Sequence, residues 1–160
     1  ISEFVHLHNH SDYSLLDGAQ RVDQLINTIS DLNMDSVALT EHGNMFSVLP
    51  YYKQAKKAGI KPIIGCEIYV AVGSRFDKKT RSDGGWGNNH LILLAQNFTG
   101  YKNLMKLVTA GYLEGFYYRP RVDIELLRKY NEGLICLSGC LKGEIPEKMF
   151  KSVLEAIFDI

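Results

Sequence analysis

The sequence predicts an α/β protein, and three observations carry that reading. Short apolar runs alternate with amphipathic segments of helical period along all 160 residues. No G-x-G-x-x-G or Walker-type loop follows the first apolar run, which weighs against a nucleotide-binding open sheet. Histidines and carboxylates fall beside the apolar runs, and both parallel barrels and open doubly wound sheets gather functional groups at strand ends. Barrel and open sheet both remain open on this pattern alone. With 46% apolar and 22% charged residues, the chain has the balance of one soluble globular domain with a sizeable core.

Residues 4–8 (FVHLH) read as the first strand. Over 21–33, Val22, Leu25, Ile26, Ile29 and Leu32 recur at helix spacing, giving an amphipathic helix. Residues 36–40 (SVALT) are a short buried strand. A second helix runs over 45–58, stopped by Gly59 and then Pro62. Residues 62–71 (PIIGCEIYVA) form the third strand. The segment 73–89, rich in Gly, Ser, Asp and Lys, is a loop. Residues 90–95 make a fourth strand, and 101–112 a helix with Leu104, Leu107 and Val108 inward. Another helix is expected over 122–130, a fifth strand over 133–138 (GLICLS), and helix near the end of 142–160. Alternation of this kind implies parallel strands joined by crossover helices.

Eighteen basic residues balance eighteen acidic ones. A protein gripping DNA through phosphate neutralisation needs a basic excess or a basic face, so this segment alone is not expected to hold DNA strongly. The one basic stretch, Lys78, Lys79 and Arg81, lies in the polar loop and reads as solvated. Three cysteines, Cys66, Cys136 and Cys140, lack a disulfide framework spacing, which implies reduced thiols and a cytoplasmic location. No apolar run is long enough to span a bilayer. The chain opens on Ile1 without a signal-peptide pattern, so Ile1 is expected to be a trimming boundary.

Three of the five histidines lie in five residues, HLHNH at 6–10. In an extended strand, His8 and His10 point to one side and can chelate together, with His6 deeper in a supporting place. His42 follows SVALT, Glu67 lies late in the third strand, Asp17 closes the turn SLLDG, and Cys140 follows GLICLSG. These segments deliver N, O and S donors, all accepted by zinc, and the N/O subset suits manganese. Asp17 before Gly18 also fits a plain turn, and Cys140 a small buried apolar residue. Glu67 in an apolar strand is harder to place otherwise, because a buried unpaired carboxylate is costly. His90 precedes its apolar run, so parallel-strand logic puts it at the opposite rim. Tyr117, Tyr118, Arg119 and Arg121 read first as aromatics packed beneath the sheet with solvated arginines, and second as a partner- or nucleic-acid-facing patch.

The runs HLHNHSDYSLLDG, ALTEHG and IIGCEIYVA resemble the PHP (polymerase and histidinol phosphatase) domain. The later runs HLILLAQNFTGYKNLMKLVTAGYLEGFYYRPRVD and GLICLSGCLKGEI resemble the N-terminal PHP domain of the bacterial replicative DNA polymerase III alpha subunits. The likeness covers residues 4–148. It implies a distorted seven-stranded β/α barrel of which about five strands are present, hence one PHP domain over 1–160, cut short at its C-terminus, with palm, fingers and thumb absent. It also implies metal ligands at His8, His10, Asp17, His42, Glu67, His90 and Cys140, with Glu41 and His6 in supporting places. Two to three divalent ions, zinc or manganese, would activate a water, and no side-chain nucleophile is needed. Glu41 stands where the family more often has Asp, and the family completes its site with a downstream Asp-x-His-like pair beyond this sequence. The implied parent is a DNA-directed DNA polymerase, acting on DNA and deoxynucleoside triphosphates with magnesium, and the domain a phosphoesterase for 3′–5′ proofreading or pyrophosphate. The alternatives are a free-standing histidinol-phosphatase-like enzyme and a non-catalytic platform for the proofreading exonuclease subunit.

Overall fold

The computed structural model describes residues 4–15, 17–78, 88–139, 143–149 and 152. Its elements are α1 (Val22–Asp31), β1 (Ser36–His42), α2 (Val48–Lys57), β2 (Lys61–Ala71), β3 (Asn88–Ala95), α3 (Phe98–Leu113), β4 (Arg121–Val122), α4 (Ile124–Lys129) and β5 (Leu134–Leu137). Residues 144–149 are also helical, and most of the remainder of the segment 142–160 lies outside the described residues. So do residues 79–87 of the expected loop. No helix among the described residues is long and apolar enough to cross a membrane.

Two packed clusters hold the sheet. In the first, α1 turns Val22, Leu25, Ile26 and Ile29 inward onto Val37 and Leu39 of β1 and Tyr51 and Ala55 of α2. Leu32, expected on the same face, is instead 52% exposed, because it caps the helix and Asn33, at φ 54°, carries the chain away. In the second, alternate residues Cys66, Ile68 and Val70 of β2 meet Leu104 and Leu107 of α3 and Leu126 of α4. The period of two sends Glu67 and Tyr69 to the other face of the same strand. α3 starts where the Asn97 side chain accepts the Gly100 N–H, and α4 where Asp123 accepts that of Leu126. Cys66, fully buried, and Cys136, exposed, are both free thiols.

The sheet runs in the order β1-β2-β3-β5, with β4 also pairing β2. Three expectations need correction here. The strands are not uniformly parallel: β1 and β4 run parallel to β2, whereas β2–β3 and β3–β5 are antiparallel. The connection from β2 to β3 has no helix among its described residues, and a reversal needs no crossover. Residues 4–8 are not a laddered strand. The chain does lie beside β1, with the Ala38 N–H donating to His6 O and the Thr40 N–H to Asn9 O. The Asn9 side-chain amide, however, donates to Ala38 O (3.0 Å), occupying the carbonyl that the His8 N–H would take in a parallel ladder. Finally, the helix expected over 122–130 begins only at Ile124, and Arg121–Val122 form the short strand β4 instead. Among the described residues there are five strands, with a membership different from the one expected.

Candidate metal centre

Glu67 is the centre of the site. It is 2% exposed, and four imidazoles converge on its carboxylate. His8 Nε2 lies 2.5 Å and His10 Nε2 3.2 Å from Oε2. His42 Nδ1 lies 3.5 Å from Oε1, and His90 Nδ1 contacts the same oxygen. Asp17 joins through His42, its Oδ2 lying 2.7 Å from Nε2. The rings pack on one another: His10 stacks on His42 at 3.9 Å between centroids, and His8 meets His10 edge-on at 4.8 Å.

Each residue arrives from its own element. Parallel pairing sets His42 of β1 directly beside Glu67 of β2. His90 reaches the rim because β3 is antiparallel: its first residues lie against the last residues of β2, with Tyr69 opposite His90. Parallel-strand logic put His90 at the far rim, and strand direction corrects it. β5, antiparallel to β3, returns its C-terminal end to the same rim, where Gly139 (φ 83°) sits so close that an added Cβ would lie 2.9 Å from His90 O. Cys140, the next residue, lies outside the described residues. Asp17 is placed by the loop 11–18, which folds back until a Cβ on Gly18 would collide with Ser11 O. His6 does not join the cluster. It is exposed, its ring edge-on to Phe4 at 4.8 Å.

Glu41 points away from the cluster and anchors the loop that carries Asp17. It is 1% exposed and accepts the hydroxyls of Ser11, Ser14 and Ser47 and the Ser11 N–H. Ser14 Oγ in turn accepts the His42 N–H at 3.0 Å. The serines were not legible as partners from spacing, since Ser11 and Ser14 lie about 30 residues before Glu41 in one loop and Ser47 lies after it, before α2. Tyr69 was legible and missed: two residues after Glu67 on one strand, it shares that face. Its buried ring meets His90 edge-on at 5.1 Å and stacks on His42 at 6.3 Å.

Burial pushes the Glu67 carboxyl up, but the bonds from His10, His8 and His90 and the His42 charge more than offset it, holding it far below the usual carboxylate range. Burial draws His10 down, yet Glu67, Asp17 and Glu41 leave it raised. Its stacked neighbour His42 is lowered, because burial and the His10 charge outweigh Glu67 and Asp17. A donor set this dense suits a cation. One donor atom each from His8, His10 and Glu67 lie within 4.8 Å of one another, and a tetrahedral ion ~2 Å from each would set them ~3.3 Å apart. Among the described residues, Nδ1 of His10 and Nδ1 of His42 are buried without a hydrogen-bond partner. The residues therefore fit a metal.

The chain is 56% identical over 154 residues to DNA polymerase III subunit alpha of Borreliella burgdorferi, covering 96% of this chain and 13% of that protein. It is 52% identical over 145 residues to the same subunit of Aquifex aeolicus, covering 88% and 12%. The chain thus spans about one eighth of the length of the curated relatives it matches. Among solved structures, an amidohydrolase from Chromobacterium violaceum overlaps 66% of this chain and 32% of its own at 22% identity, with a TM-score of 0.47. The PHP domain model matches residues 6–159, a span that includes all five histidines and Glu67, and the chain belongs to the PHP domain family.

Proposed function

We propose that the chain is the PHP domain of a bacterial replicative DNA polymerase of the alpha-subunit kind, and that its cluster holds two to three divalent cations for phosphoester hydrolysis. His8, His10, Asp17, His42, Glu67, His90 and Cys140 would hold them. The observation that carries this reading is the division of labour on Glu67: Oε2 faces His8 and His10, and Oε1 faces His42 and His90. With histidine nitrogens beside each of its oxygens, Glu67 would hold divalent cations together with His8, His10, His42 and His90. Divalent cations bound there supply Lewis acidity, polarising a phosphoryl oxygen and acidifying a water.

The chain's own residues set the geometry. Asp17 fixes the ring of His42 through Nε2 and so decides which nitrogen faces inward. Glu41 fixes the backbone of His42 by way of Ser14, a supporting role that the buried serine contacts favour. Tyr69 walls the cluster on the side of His42 and His90 and keeps bulk water from their rings. The substrates in view are the 3′ end of DNA, as proofreading requires, or pyrophosphate released during polymerisation. DNA, deoxynucleoside triphosphates and a separate exonuclease subunit would be partners of the whole polymerase.

The test is hydrolysis by manganese- or zinc-loaded protein of 5′-labelled single-stranded DNA and of pyrophosphate. The expected result is shortening from the 3′ end, or phosphate release, abolished by chelator and by Glu67→Ala. Metal-loaded protein that cleaves neither substrate contradicts the hydrolytic reading and favours a structural platform.

A further inference from the structure

We propose that Arg119 is the residue that grips the phosphate of the substrate at the mouth of this site, an inference that rests on the proposed function. Strand register places it there. β1 leaves β2 at the pair His42 and Glu67, and β4 joins the same edge of β2 at the pair Arg121 and Tyr69. Arg119 and Pro120 therefore enter in the gap beside His42. The fit is close. Gly43, directly after His42, sits at φ 62°, and a Cβ there would come within 2.8 Å of Pro120 and 3.0 Å of the Tyr69 ring. The Arg119 guanidinium carbon lies 5.5 Å from the centroid of the same Tyr69 ring, which walls His42 and His90.

Three arginines meet at this junction, and two are already committed. Arg121 is 1% exposed and donates to the carbonyls of Gly115, Arg75 and Asp77. Arg75 is bound to Asp123 and Glu114. Arg119 is exposed, and among the described residues it has no carboxylate within salt-bridge reach. A planar fork of donors left without an anion, beside a cluster built to hold cations, suits a phosphate oxygen.

The turn that presents it is strained. The Tyr117 N–H donates to Arg119 O, closing a tight loop in which Tyr118 takes φ 58°, a left-handed conformation that tyrosine rarely adopts. An exposed cation–π contact returns less than such a residue costs, so the contact with Tyr69 does not account for the strain. A turn of this kind serves to hold Arg119 out toward a ligand. The expectation that these arginines are solvated and the aromatics packed away thus holds for Arg119 but not for Arg121, which is buried, nor for Tyr118, which is 61% exposed.

The experiment compares the unmutated intact protein with Arg119→Ala and Arg119→Lys, each loaded with manganese. Metal content is measured first, then inorganic phosphate binding by calorimetry, then steady-state hydrolysis of bis(p-nitrophenyl) phosphate. Expected are unchanged metal content, phosphate affinity weakened roughly 10- to 100-fold in Arg119→Ala, a raised KM, and an intermediate affinity in Arg119→Lys, which keeps charge but not the fork. Equal phosphate affinity in a metal-bearing Arg119→Ala variant overturns this inference alone. An unmutated protein that takes up no metal overturns both this inference and the proposed function.

Discussion

A carboxylate enclosed by protein is costly unless its lone pairs are occupied, and Glu41 of β1 and Glu67 of β2 meet that demand differently. Glu67 is surrounded by imidazoles that can be turned over to a cation, whereas Glu41 is surrounded by serine hydroxyls that cannot. Glu41 is therefore a brace. Replacing it with alanine leaves three hydroxyls and the Ser11 N–H without their acceptor, and urea denaturation is expected to register a loss of about 3 kcal/mol. Because the same loop carries Asp17 and bonds to the backbone of His42, metal affinity should fall about 10- to 100-fold alongside. At this scale the sequence was informative where spacing speaks for itself. His8 and His10, two apart, do meet on one carboxylate oxygen. His6 shares their parity but not their place, because residues 4–8 stay out of the ladder and its ring is left to Phe4.

Among the elements, the junction of β2, β4 and α4 depends on a buried ion pair. Arg75 donates to both carboxylate oxygens of Asp123, which also caps α4, and to Glu114 of the segment leaving α3. Burial pushes the Asp123 carboxyl up, but its bonds to Arg75 and the Leu126 N–H more than offset this and hold it below the usual range. With the folded value beneath the unfolded one, the pair stabilises the protein above the unfolded value of about 4 and loses that contribution as pH falls through the depressed folded value. Asp123→Asn is expected to be about 3–5 kcal/mol less stable near neutrality, with the gap closing in denaturation series below about pH 4. Helices α1 to α3 were legible in the sequence, α1 from its apolar face of Val22, Leu25, Ile26 and Ile29, α2 from its stop signals, and α3 from Leu104 and Leu107. Strand direction was not. Hydrophobic runs say nothing about whether a neighbour runs parallel, and that one unknown displaced His90 to the wrong rim.

For the molecule as a whole, the arrangement is a mixed sheet that brings strand ends of opposite sequence direction to one edge. His42 comes from the C-terminal end of β1 and Glu67 from the C-terminal half of β2, and His90 comes from the N-terminal part of β3. The α/β class was readable from alternation, and the cluster was readable because His, Asp and Glu placed beside apolar runs stand out from a strand's apolar background, and the structure brings His8, His10, His42 and His90 onto Glu67. What composition and spacing could not supply was the pairing order that joins residues 59 and 25 positions apart, such as His8 with Glu67 and His42 with Asp17. The claim on which the rest depends is that these side chains share cations. It is tested most directly by elemental analysis of the purified intact protein beside its Glu67→Ala variant. About two to three ions per chain are expected in the unmutated protein, with most of them lost in the variant. No bound metal in the unmutated protein, or an equal content in both, would contradict it.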